Sequence, residues 1–250
     1  MAQNDWSELG GSLAQDDLAR AVVEADVITP PNGGGDYVFG YNSLNGTVTG
    51  AHGMYCALSG FAPTGPGTTP AGGTSIRGAV RRVASPGDVG FAPFLFACCQ
   101  GGPPTVNDVA YLLGLSDAAP YTIMLAKAAI VSGLVADASP YVLLAESSAE
   151  YSIADGLWHH LRLDCIVEPN GSVRLRAYAN DLALHPIDVP GGHAWTAIPG
   201  FPALGVVDDN LRITTASAPL WGGYCGFAFS ITQALNRRGA FDGLEAKRLT

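Results

Sequence analysis

Two acids, two adjacent histidines and a short run of oxygen-bearing side chains are the groups in this chain whose types and spacing could do chemistry. Asp164 and Glu168 stand four apart on a stretch of alternating character, so they fall on one face of a strand. A pair of carboxylates is the usual equipment for general acid–base work. Asp164 has an expected cross-strand arginine, however, and Glu168 sits at a turn, so catalysis by this pair is disfavoured. His159 and His160 could serve a metal or act as a base, but neighbours on a strand point to opposite faces and cannot share one ion. Structural packing is the favoured reading for both. Asp208, Asp209 and Asn210 follow Val206-Val207 and offer the clustered oxygens that calcium requires. They lack a D-x-D-x-D pattern, so a solvated turn is the better reading. If an ion such as Ca2+ binds anywhere, it binds here; no other cofactor is expected. Trp195 and Trp221, in Gly/Pro-rich loops, are candidates for a sugar platform or for an interface anchor, with the anchor favoured. Ser/His/Asp triads, P-loops and dinucleotide fingerprints are missing. Gly33-Gly34-Gly35 is only a flexible turn, lacking the strand and helix that such a fingerprint needs.

The element that must position these groups is a long β-hairpin from Leu157 to Asn180. Leu161, Leu163, Cys165 and Val167 fall on one face of its first arm, with Arg162, Asp164 and Glu168 on the other. On the second arm Val173, Leu175 and Ala177 alternate with Arg174, Arg176 and Tyr178. Period two on both arms predicts strands with one face in the core and one wet. A two-residue Asn170-Gly171 loop would mix the faces. A three-residue loop, Pro169-Asn170-Gly171, sets Val167 opposite Val173 and Cys165 opposite Leu175, with Gly at the left-handed position. It also sets Asp164 opposite Arg176 on the wet side, a pair worth roughly 0.2–1 kcal/mol.

Further strands are expected at Tyr37 to Tyr41, His52 to Leu58, Ser75 to Val83, Val89 to Cys99, Val109 to Leu115, Tyr121 to Val131, Val142 to Ser147, Gly223 to Ile231 and Phe241 to Leu249. Short strands at this spacing predict a sandwich. Residues 1–35 read differently. Ser12-x-x-Gln15 is a capping-box start, and Leu13 to Val23 could form two or three helical turns. Pro30-Pro31-Asn32-Gly33 then breaks regular structure. This segment is either an arm that docks on a partner chain or an element lying on its own domain.

The string from Trp158 to Arg176, WHHLRLDCIVEPNGSVRLR, resembles the strand pair of concanavalin A-like (laminin-G/lectin-type) jelly-roll domains. Asn180-Asp181-Leu182, His185-Pro186, Gly223-Tyr224-Cys225-Gly226-Phe227-Ala228-Phe229 and Arg238-Gly239-Ala240-Phe241-Asp242-Gly243-Leu244-Glu245 extend the likeness to a family of tailed-bacteriophage virion proteins. The resemblance covers residues 36–250. It implies an all-β, concanavalin A-like jelly-roll sandwich preceded by a short N-terminal arm. Glycosidases also use this sandwich, and retaining ones carry acids in an E-x-D-x-x-E spacing. None occurs here. Glu24-Ala25-Asp26 comes nearest, with Thr29 in place of the last acid. The expectation is therefore a protein that is not an enzyme.

Composition bears on partners. Hydrophobic residues make up 48% and charged residues 14%, against about 25% charged in an average soluble protein. So neutral a surface suits one covered by neighbours in an assembly. The net charge of −9, with basic spots only at Arg81-Arg82 and Arg237-Arg238, argues against nucleic acid. No apolar stretch is long enough for a membrane helix; the longest, Tyr121 to Val135, is broken by Lys127 and Gly133. The N-terminal residues show no positive region followed by an apolar one, so no signal peptide is expected. Cys56, Cys98, Cys99, Cys165 and Cys225 lack C-x-x-C spacing, so free thiols are expected, with Cys165 packed inside. An intermolecular bridge could form only through whichever of Cys98 and Cys99 points outward. The expected function is that of a structural or accessory protein of a tailed-phage virion, at the capsid, collar or tail. It would be assembled in the host cytoplasm and partnered by other virion proteins and its own copies. The alternative is a lectin-like module that binds a surface glycan for host attachment.

Overall fold

The computed structural model describes residues 21–24, 36–41, 53–56, 72–83, 91–99, 107–116, 120–131, 134–135, 141–148, 159–180, 195–209, 218–231 and 237–249. Its strands are β1 (Ala21–Glu24), β2 (Asp36–Tyr41), β3 (Gly53–Cys56), β4 (Gly72–Val83), β5 (Phe91–Cys99), β6 (Asn107–Leu115), β7 (Ile123–Val131), β8 (Leu134–Val135) and β9 (Tyr141–Glu146). They continue as β10 (His159–Val167), β11 (Val173–Asn180), β12 (Thr196–Ala197), β13 (Val206–Asp208), β14 (Tyr224–Ile231) and β15 (Arg237–Leu249). No helix occurs among the described residues.

Two sheets result. An eight-stranded sheet runs β1-β2-β15-β4-β10-β11-β12, with β13 also on β11. A seven-stranded sheet runs β3-β14-β5-β6-β7-β8, with β9 also on β7. Apart from one parallel bridge between Phe229 and Leu134, every pairing is antiparallel. The last two strands do not lie at an edge. β14 enters between β3 and β5, and β15 between β2 and β4. Chain ends inserted between early strands are characteristic of a jelly roll, and the chain is a β-sandwich of that type.

The core lies between the sheets. Ile76, Val80, Leu161, Leu163, Cys165, Val173, Leu175 and Ala177 face Leu95, Val109, Tyr111, Leu113, Leu115, Ile123 and Leu125 across it. Each is at most 8% exposed. Complete burial of one such aliphatic side chain is worth about 1.5–3 kcal/mol.

The hairpin has the expected register, with Val167 opposite Val173, Cys165 opposite Leu175 and Asp164 opposite Arg176. The Glu168 N–H donates to the Ser172 carbonyl (2.8 Å), and the Gly171 N–H to the Glu168 carbonyl (2.9 Å). These two bonds define the three-residue loop, and Gly171 takes φ +84°.

Three expectations are corrected. Ala21 to Val23, placed on the helix of the arm, form the edge strand β1 against β2. Their β-branched valines gain a ladder there that an isolated helix end does not offer; residues 13–20 lie outside the described residues. Neither Cys98 nor Cys99 is an accessible outward thiol, since both are buried. Cys98 has φ +58°, and the β5–β14 register shifts beside it, which breaks the alternation. Finally, the Gly/Pro-rich loop holding Trp195 and the solvated turn expected at Asp208 contain the short strands β12 and β13, whose few residues give no readable period.

Candidate functional site: the polar face of the eight-stranded sheet

The two sheets differ on the sides turned away from the core. On the seven-stranded sheet the residues alternating with the core set are Phe94, Phe96, Ala110, Leu112, Ala126 and Ala128, all buried. Across β5, β6 and β7 that sheet is apolar on both faces apart from Lys127 on the inner one, which explains the near-continuous hydrophobic runs of β5 and β6. The eight-stranded sheet is apolar inside and polar outside. Its outer face is built in rows by the β4–β10–β11 register: Ala79, His160, Asn180; then Arg77, Arg162, Tyr178; then Ser75, Asp164, Arg176.

Asp164 is the hub of this face. Arg162 Nε donates to its Oδ1 (2.9 Å) and Arg162 Nη2 to its Oδ2 (2.7 Å), while Ser75 Oγ donates to Oδ1 (2.6 Å). The Arg162 guanidinium also lies 5.3 Å from the Tyr178 ring centroid. The expected pairing of Asp164 with Arg176 on a wet surface is thus corrected. The two residues are opposite in register, but Asp164 is 5% exposed and takes its ion pair from Arg162, two residues along its own strand. The planar fork of Arg162 meets the carboxylate with two parallel donors, a geometry that outcompetes a single diagonal contact. One row further, Arg174 Nε pairs with Glu168 Oε1 at 2.6 Å. Both acids considered for catalysis are therefore held by arginines.

A strap of chain, residues 195–209, borders the face. β12 pairs Thr196 with Ala179 and Ala197 with Tyr178; continuing by one residue sets Trp195 opposite Asn180, on the Tyr178 side. Trp195 is half-buried. The strap leaves the sheet edge after Ala197, opposite Tyr178, and rejoins it at β13, opposite Leu175. Gly205, at φ +87°, comes so close to β11 that a Cβ there would stand 2.4 Å from the Leu175 carbonyl oxygen and 2.9 Å from Arg176 Cγ. Glycine is required on both counts.

A second polar cluster lies inside the sandwich. Lys127 and Asp208, both wholly buried, form an ion pair of 2.6 Å. Tyr111 Oη donates to Asp208 Oδ2 (2.7 Å), and Lys127 Nζ donates to the Ala218 carbonyl (3.0 Å). The Leu220 N–H donates to Tyr111 Oη (3.0 Å), and Trp221 Nε1 donates to the Gly171 carbonyl (2.7 Å). Residues 218–221 are thereby tied to both sheets and to the hairpin turn. Burial pushes the Lys127 ammonium below its ordinary value, against the opposing pull of Asp208. Burial, and secondarily Asp208, pushes the Tyr111 phenol well above its own.

The sites expected from sequence are distributed as follows. Asp208 is no open calcium ligand: its carboxylate is bonded to Lys127 and Tyr111 inside the fold. Asp209 is exposed, and Asn210 lies outside the described residues. Among the described residues no three His, Cys, Asp or Glu side chains come together as a metal site. Trp221 is packed against the core with its N–H used by the hairpin turn, so it is no free platform. Trp195 does border the polar face. His159 and His160 are both buried, and Trp158 lies outside the described residues. Tyr178, Asn180, Arg77 and Ser75 were not singled out, although the period-two pattern already put Tyr178 on the outer face.

Fold and face together define a class: a jelly-roll β-sandwich with one polar sheet surface. No family model and no curated protein matches the sequence. Solved structures match in shape. An engineered GH43 glycoside hydrolase with endo-xylanase and exo-arabinofuranosidase activity superposes with a TM-score of 0.51 at 15% identity, over 98% of this chain and 38% of that one. Cellulose induced protein, Cip1, reaches 0.45 at 12% identity, over 99% and 93% of the two chains. Alginate lyase A1-II′ of polysaccharide lyase family 7 reaches 0.42 at 10%, over 89% and 82%. At these identities the likeness is one of fold alone, and this chain spans about two fifths of the hydrolase. The expectation that the chain is not an enzyme is nevertheless corrected. It rested on a missing acid spacing, and a sandwich shared with a glycoside hydrolase gives no ground for excluding catalysis.

Proposed function

We propose that this chain is a concanavalin A-like, glycan-binding protein of a tailed-bacteriophage particle, with the outer face of the eight-stranded sheet as its binding surface. The observation that carries the reading is the polar face itself. The half-buried Tyr178 and Trp195 supply aromatic surface beside Arg162, held by its ion pair with Asp164, above the buried Asn180 and Ser75. Aromatic rings against sugar C–H faces, with fixed polar groups around them, are what a carbohydrate site needs. The phage setting is supported by the resemblance of the Trp158 to Arg176 string and the strings that follow it. The test is a glycan array on the full chain, with and without calcium, and with products analysed for cleavage. Binding is expected, weakened at least about tenfold, or about 1.4 kcal/mol, by Tyr178→Ala and by Trp195→Ala. An array without hits, or with hits indifferent to both substitutions, would sink the reading.

A second reading, assembly with other virion proteins or further copies of the chain, is favoured by a different observation. Leu204 is 71% exposed and Val207 38%, both on the strap, and Leu143 is 45% exposed. Light scattering on the full chain should then give a defined oligomer that Leu204→Asp dissociates. A monomer at every concentration would leave the glycan reading alone.

A further inference from the structure

We propose that Arg176 is the anion-holding residue of the polar face, and that the ligand there is an acidic glycan whose sugars carry carboxylates. The inference rests on the glycan reading and narrows it to a substrate class.

Of the three arginines on β10 and β11, Arg162, Arg174 and Arg176, two have a counter-ion among the described residues. Arg162 is neutralised by Asp164, and Arg174 by Glu168. Asp164, the acid nearest to Arg176 in register, already accepts three hydrogen bonds from Arg162 and Ser75. Among the described residues Arg176 forms no ion pair, and its Nε, wholly buried, has no hydrogen-bond partner. A guanidinium keeps its charge at any pH the fold tolerates, so it cannot relieve that position by losing a proton. Leaving a buried charged donor unsatisfied costs stability. Such a donor calls for a partner that the described residues do not supply, a water or a bound group.

Arg176 is also held in place. Gly205 lies against its stem at the point where the strap rejoins the sheet edge, and the residue is half-buried. A cation fixed beforehand loses little freedom when it binds an anion. A planar carboxylate suits a planar guanidinium, since two parallel N–H···O bonds can form. Tyr178 and Trp195, in the next rows along β11 and the strap, would lie under the sugar rings that carry the acid.

The experiment is calorimetric titration of the full chain with four probes: hexagalacturonate, its fully methyl-esterified form, a sialic acid hexamer and a sulfated hexasaccharide. The ester has the same backbone without the charge. Titrations are repeated on Arg176→Met and Arg176→Lys, with thermal melts to confirm that each variant folds. At least one carboxylated probe is expected to bind tenfold or more tightly than the neutral ester, with the preference weakened by salt. Arg176→Met should abolish the preference without lowering the melting temperature, and Arg176→Lys should keep part of it. Equal binding of acid and ester would overturn the inference and leave glycan binding intact. Preference for the sulfated probe alone would overturn the carboxylate assignment. A preference that survives in Arg176→Met would overturn the role of Arg176. If none of the probes binds and the array is also blank, the glycan reading itself falls.

Discussion

Lys127 and Asp208 show how much one pair of side chains decides. Both are wholly buried, so each charge stays in the fold only because the other is there. Lys127→Met should cost about 3–5 kcal/mol, because it strands the Asp208 carboxylate in the core. The double variant Lys127→Met, Asp208→Leu should recover most of that loss. Urea titrations of the single and double variants measure both; a double variant no better than the single would show that the pair is not the source. Alkaline stability follows from neighbouring groups. Cys165, buried and next to Cys98, has its thiol pushed well above the ordinary 9.0, and Tyr111 its phenol well above 10.0. Both values are raised in the fold. Their stabilising contributions are therefore complete below pH 9 and 10, and are lost as pH rises toward the folded values, because the unfolded chain releases these protons first. Lys127 is shifted downward and acts with the opposite sign below 10.5. Up to pH 10.5 the two signs oppose each other; above it only the losses from Cys165 and Tyr111 continue, so stability should fall there, and less steeply in Cys165→Ala, as read by chemical melts across the range.

Among the elements, the hairpin is organised by its turn. Gly171 has φ +84°, and a Cβ there would meet nothing within 4 Å. Substitution thus carries a backbone cost without a clash. Gly171→Ala should lower stability by about 1–2 kcal/mol, and Gly171→Asn by less, because asparagine tolerates the left-handed region. Thermal melts of the two variants rank them; an alanine variant as stable as the parent would refute the turn assignment. This hairpin was legible in the chain because its rules are local: period two along each arm, and Pro-Asn-Gly chemistry at the turn. β12 and β13 were not legible, because two and three residues carry no period and owe their conformation to the edge of β11. Asp208 was misread for the same reason. Its neighbours Asp209 and Asn210 suggested a solvated loop, while its partner Lys127 stood 81 residues away as an interruption in an apolar run.

For the whole molecule, the decisive feature is where the last two strands go. β15 separates β2 from β4, and β14 separates β3 from β5. Removing residues 237–250 would leave β1 and β2 detached from the rest of their sheet. That truncation should abolish the cooperative thermal transition seen by circular dichroism; a truncated chain melting within a few degrees of the parent would contradict the topology. Pairing the ends of the chain early is costly in loop entropy, so folding should fall in the slow, millisecond-to-second range of non-local β proteins.

The residues in order are enough to establish an all-β sandwich, most of its strands, the hairpin register and which hairpin side chains face the core. Those depend on alternation and turn chemistry, which act between near neighbours. The tertiary structure alone shows that one sheet is apolar on both faces across β5, β6 and β7, apart from Lys127, while the other presents a polar surface. It alone also shows that Asp164 is taken by Arg162, that Asp208 is inside with Lys127, and that Arg176 has no counter-ion among the described residues. Alternation says which side of a strand a residue occupies. Only the packing of distant strands says whether that side meets core, partner or open surface, and so whether a charge there is already satisfied.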